Sequence, residues 1–187
     1  LAGLGFNVSA QDSPQTNTGE SPLFRGEQLL KTGSYAAATD IFQMADGLDR
    51  NEGLVGASKA FAMMGNYQEA MSVVEAAIDD NDYARFPLLG TQLAEIKRAV
   101  GESQEALRIL EAVVLGLADP PVRTLVQYGS LLDFVGQKQL AVSILDQAVQ
   151  RYNNGLVFAS EDVAMVALAS WLMGNFHDAN SLFNEAT

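Results

Sequence analysis

The sequence has no cysteine, a single histidine and a single tryptophan in 187 residues, and only 11 basic residues against 23 acidic ones. Without cysteine there are no disulfides, no thiolate metal sites and no thiol nucleophile, and the redox character of the compartment is left open. One histidine gives acid–base, triad and zinc chemistry little to work with. A formal charge of -12 makes the averaged field repulsive to phosphate backbones and anionic lipid surfaces, which argues against nucleic acid and membrane surface as partners. Long hydrophobic runs are also missing: the most apolar stretch, Val163 to Gly174, falls well short of the ~20 residues that span a bilayer, so it reads as a buried helix with no membrane insertion. There is no G-x-x-x-x-G-K-[ST] phosphate loop. Asp79-Asp80-Asn81-Asp82 lacks the alternating ligand order and distal glutamate of a calcium loop, so it reads as an acidic connection. His177 has no second ligand at i+4 or i-4 and reads as an exposed helix residue. No catalytic, cofactor-binding or metal-binding residue is therefore assigned.

What is present is apolar content of 48%, enough for a continuous core, arranged in a repeat. Gly65-Asn66-Tyr67-Gln68-Glu69-Ala70 has near-copies beginning at Gly33, Gly101, Gly136 and Gly174, and each glycine is followed five residues later by alanine. The glycines at 33, 65, 101, 136 and 174 stand 32, 36, 35 and 38 residues apart, a spacing that suits helix-turn-helix repeats with small loop insertions. Around each glycine the apolar residues recur at three and four, as in Tyr35, Ala38, Ile41, Phe42 and Ala45, the period of an amphipathic helix. Glycine suits the left-handed residue that ends the first helix of each pair.

Residues 1–20 read as an N-terminal linker. Gln11 to Glu20 is polar, with Pro, Gly, Ser and Thr and no hydrophobic period, as in a solvated connector. Val8-Ser9-Ala10 before Gln11 has the small-x-small form of a signal-peptidase site, without the charged segment that precedes one. That leaves an exported or periplasmic location and a cytoplasmic one both open. Ser21-Pro22 reads as a helix start, with a capping hydroxyl and proline at the first helical position. Residues 21–187 then divide into units of about 21–50, 51–86, 87–121, 122–159 and 160–187. The last ends inside a helical pattern, so the chain reads as a piece of a longer polypeptide. Phe183 to Thr187 would leave an apolar end face, covered by further sequence or by a second copy in a homo-oligomer.

The pattern resembles the tetratricopeptide repeat. The small residues of the first helices are Gly26, Ser58, Ala94, Gly129 and Ala167; the aromatics after the glycine are Tyr35, Tyr67 and Phe176. In the second helices the alanines are Ala38, Ala70, Ala106, Ala141 and Ala179. They are followed by the large residues Phe42, Val74, Leu110, Leu145 and Phe183, then by Ala45, Ala77, Val113, Ala148 and Ala186. Ser103 and Lys138 replace the aromatic, and Val113 replaces a small residue, which leaves the packing of the middle units least defined. The resemblance spans Pro22 to Ala186 and implies an all-α, right-handed α-solenoid. In it the small residues let paired helices approach, while the aromatic and large apolar positions fill the space between hairpins.

It also implies that the first helices line a concave groove. Groove-facing positions include Glu27, Lys31, Lys59, Met63, Glu95, Arg98, Arg123, Gln127, Asp133, Phe134 and Trp171. Lys59, Arg98 and Arg123 stand out in so acidic a chain: together they could grip a carboxylate or an acidic peptide, the plainer reading being scattered solvated charge. The lysine and asparagine set with which some members clamp an acidic C-terminus is not reproduced. Phe134 and Trp171 suit core positions, the commoner place for such residues, as well as contacts. The expected function is a non-catalytic scaffold binding a peptide or partner protein in the groove, through Lys59, Met63, Arg98, Arg123, Gln127 and Phe134. The alternatives are a repeat region of a longer exported enzyme or cell-envelope assembly factor, and an RNA-binding helical repeat, which the acidic balance opposes.

Overall fold

A computed structural model describes residues 20–157 and 159–187; the cleavage-like site and nearly all of the linker expected from the sequence lie outside them. The described residues form ten α-helices and no strand: α1 (Pro22–Lys31), α2 (Tyr35–Phe42), α3 (Arg50–Met63), α4 (Tyr67–Glu75), α5 (Pro87–Ala99), α6 (Ser103–Gly116), α7 (Val122–Phe134), α8 (Lys138–Asn153), α9 (Ser160–Leu172) and α10 (Phe176–Glu185). Helix α1 begins as expected, with Pro22 in its first turn and the Ser21 hydroxyl accepting from the Phe24 amide at 3.2 Å.

Each of the five glycines ends the first helix of a pair with φ between 76° and 91°. In every case two hydrogen bonds run backward across the turn. At the second turn the Gly65 amide donates to the Ala62 carbonyl at 3.0 Å and the Asn66 amide to that of Phe61 at 2.9 Å. The same pair of bonds recurs at Gly33, Gly101, Gly136 and Gly174. This arrangement uses up carbonyls that a helix end would otherwise leave unpaired, and it requires a left-handed residue at the glycine.

The paired helices approach closely where small residues permit it. A Cβ on Gly26 would lie 2.5 Å from the Phe42 ring, and one on Gly129 would lie 2.6 Å from Leu145 Cγ. The Ser58 hydroxyl donates to the Ala70 carbonyl at 2.8 Å, joining α3 to α4 inside the core. All five alanines of the second helices are buried. Where Val113 stands at a small position, the room comes from the opposite side: Gly90 faces it, and a Cβ there would meet Val113 Cγ2 at 3.2 Å. The middle units, whose packing the sequence leaves least defined, are densely buried through Leu89, Ile96, Ile109, Val113 and Leu125.

One expectation is corrected. Phe176 is 62% exposed and does not fill the space between hairpins; it packs edge-on against Trp171 of the same hairpin, with ring centroids 6.2 Å apart. Phe183, at a position buried in the other four units, is 42% exposed, in line with the apolar end face expected at Phe183 to Thr187.

The odd-numbered helices pack successively on one another, α1 on α3, α3 on α5, α5 on α7 and α7 on α9, while the even-numbered helices make no comparable contact among themselves. The odd helices therefore form one continuous inner layer, and their free faces form a groove.

Candidate functional site

The groove begins with an apolar pocket of about 340 Å³ between α1, α3 and α5, walled by Leu30, Tyr35, Ala62, Met63, Tyr67 and Ile96. Two of its walls, Tyr35 and Tyr67, occupy the same place in consecutive units, two residues after the glycine. The sequence pattern suits that position to packing, and the shared repeat position brings both rings to one surface. Lys59 lines this pocket and also a larger open recess of about 690 Å³. The recess runs across the starts of the odd helices, from Leu23, Phe24 and Glu27 through Glu52, Val55 and Arg123 to Glu161 and Asp162. A smaller pocket of about 150 Å³ between α5, α7 and α9 is bordered by Glu95, Arg98, Gln127, Ser130 and Leu168.

Glu95 joins these surfaces. Arg123 Nη2 donates to Glu95 Oε2 at 2.6 Å, and Gln127 Nε2 donates to the same oxygen at 3.1 Å. Beneath them, buried Thr91 donates to the Pro87 carbonyl at 2.6 Å, which leaves Thr124 to donate across to Thr91 at 2.7 Å. The two links fix α7 against α5. Arg151 closes the outer edge by pairing with Asp119 and donating to the Pro120 carbonyl.

Of the residues singled out from the sequence, Lys59 and Met63 come together at the apolar pocket, and Arg98 and Gln127 at the smaller one. Arg123 belongs to the large recess and is held by Glu95. Lys59 and Arg123 thus share the large recess, while Arg98 borders only the smaller pocket, so the three do not surround one point. Phe134, 76% exposed at the end of α7, borders none of these three. Trp171 is 51% exposed, so the core reading fails for both aromatics. Each lies on the last turn of its helix. His177 is exposed, as expected.

Burial lowers the Lys59 ammonium from its ordinary value, and Arg123 adds to this; Glu27, Glu95 and Glu161 oppose it. On the facing wall burial raises the Asp162 carboxyl, reinforced by Glu161 and opposed by Arg123. Among the described residues no group of three His, Asp or Glu side chains is placed to hold a metal, and no helix is long and apolar enough to cross a membrane.

The helix order, the glycine turns and the inner layer define an α-solenoid of tetratricopeptide-like repeats. Solved structures with this fold include a Podosopora anserina putative kinesin light chain with nearly identical TPR-like repeats (18% identity, TM-score 0.54, 89% of this chain and 92% of that chain). They also include TTC0263, a thermophilic TPR protein of Thermus thermophilus (22% identity, TM-score 0.57, 88% of each chain). A third is MamA MSR-1 (20% identity, TM-score 0.51, 89% of this chain and 97% of that chain). At these identities the likeness is one of fold. No protein-family model and no curated protein matches the chain.

Proposed function

We propose that the chain is a non-catalytic interaction scaffold that holds a polypeptide segment in its concave groove, with Lys59, Met63, Arg98, Arg123 and Gln127 on the walls and Phe134 at the rim. The observation that carries this reading is the apolar pocket at Leu30, Tyr35, Met63, Tyr67 and Ile96, which opens beside a recess crossing all five inner helices. A chain laid along the recess can place an apolar side chain in the pocket while its backbone stays among polar groups, the usual division between anchor and rim in peptide recognition. The tight link of Arg123 and Gln127 to Glu95 gives that wall a fixed shape, so little ordering is needed on binding.

Selection from a displayed random peptide library, followed by affinity measurement on Ala62→Trp, tests the reading. Tryptophan at Ala62 fills the apolar pocket, whereas Gln147→Trp places the same bulk on the exposed face of α8. Selected peptides should lose roughly tenfold or more in affinity on the first variant and remain unaffected by the second. Peptides that bind both variants as they bind the parent would refute groove binding.

A further inference from the structure

The recess is lined by Glu27, Glu52, Glu161 and Asp162 and by Lys31, Lys59, Arg123 and Arg151, which looks balanced until the partners are followed. Arg123 is taken by Glu95 and Arg151 by Asp119, both carboxylates from outside this lining. Elsewhere cations are also used locally, as in Lys97 with Glu102 at 2.9 Å and Arg108 with Glu105 at 2.6 Å. None of the ion pairs among the described residues involves Glu27, Glu52, Glu161 or Asp162. Four carboxylates therefore face the recess outside any ion pair, against two lysines that are likewise unpaired there. The apolar part of the same lining, Leu23, Phe24, Val55 and Leu88, lies between α1 and α5, so the carboxylates border a surface that a partner can also bury.

We infer that the groove selects a cationic segment of a protein partner, one in which lysine or arginine side chains alternate with large apolar ones. This rests on the groove-binding reading above and reverses the sign that the basic residues suggest when taken alone. An anionic segment would approach Lys59 past Glu27, Glu95 and Glu161, whose charges already act on that lysine. A cationic segment meets Glu27 on one wall and Glu161 and Asp162 on the other. Electrostatic complementarity of this kind chiefly sets partner choice and association rate, and the excess of acidic residues over the whole chain adds steering in the same direction.

Because a chain of charge -12 attracts any polycation, the test must separate groove from field. Three short fluorescent peptides with leucine at the same positions and lysine, glutamate or glutamine elsewhere are titrated against the parent and against three variants. The first, Glu27→Gln/Glu161→Gln/Asp162→Asn, removes groove carboxylates. The second, Asp40→Asn/Glu69→Gln/Asp178→Asn, removes the same charge from exposed residues of even helices. The third, Lys59→Gln, supplies a test of sign. The lysine peptide should bind most tightly, lose roughly tenfold on the first variant and under roughly twofold on the second, and tighten on Lys59→Gln. Circular dichroism melts establish that each variant is folded. Equal losses on the first two variants, or weakening on Lys59→Gln, would overturn the inference. If the glutamate peptide binds more tightly and Ala62→Trp abolishes its binding, the cationic inference fails and groove binding stands. If no peptide responds to Ala62→Trp or to the groove carboxylates, both fail.

Discussion

Lys59 carries its charge at the expense of the fold. It sits on the inner face of α3, half-buried between the apolar pocket and the recess, and no carboxylate lies within ion-pairing distance among the described residues. Burial and Arg123 both disfavour its charged form, more than Glu27, Glu95 and Glu161 support it. With the folded-state value depressed, the unfolded chain binds more protons between the two values, so stability rises with pH through that alkaline window. At neutral pH, below the window, the penalty is present in full. Lys59→Met keeps most of the stem and removes the charge, so it should raise the urea midpoint at neutral pH, with the advantage shrinking as pH rises through the lysine range. A midpoint that falls at neutral pH would show that the ammonium is stabilised in place.

At the scale of elements, the turn at Gly65 joins α3 to α4 through backbone geometry alone. Its φ is 81°, and a Cβ placed there would meet nothing within 4 Å. Gly65→Val should therefore destabilise by about 1–2 kcal/mol through the left-handed backbone. Gly65→Asn should cost less, since asparagine adopts this conformation more readily. Urea titration of the two variants checks this, and equal losses would point to packing instead. The glycine turns and the small residues at the helix crossings were legible in the sequence because each depends on local spacing repeated five times. The site was much less so. Glu95 and Arg123 meet only because α5 and α7 are neighbours on the inner layer, and that pairing removes a cation that looks free in the sequence. In the same way Gly90 makes room for Val113 across a helix pair. Each of these outcomes depends on two elements together, so no periodicity within one of them records it.

At the scale of the whole molecule, the core is in two parts. The larger runs from Val55 through Leu182 and takes in most of α3 to α10. The smaller comprises Ala38, Phe42, Ala57 and Ala60, with Leu23, Leu29, Leu30, Tyr35 and Val73 packed against it. Helices α1 and α2 thus depend on one face of α3 and on the seating of Phe42 against Gly26 and Gly56, while the middle hairpins are buried on both sides. In an array whose stability is a sum of nearest-neighbour interfaces, the unit with the smaller interface opens first. Native-state hydrogen exchange should find the amides of α1 and α2 exchanging through local opening, little affected by low denaturant, while those of α5 to α8 exchange only with global unfolding. Uniform protection along the chain would show that the two cores unfold as one. The hairpin that opens supplies Leu30 and Tyr35 to the apolar pocket and Glu27 to the recess. A segment bound in the groove bridges the two cores, so it should raise protection in α1 and α2 more than in any middle helix, since a ligand stabilises most the opening that destroys its site.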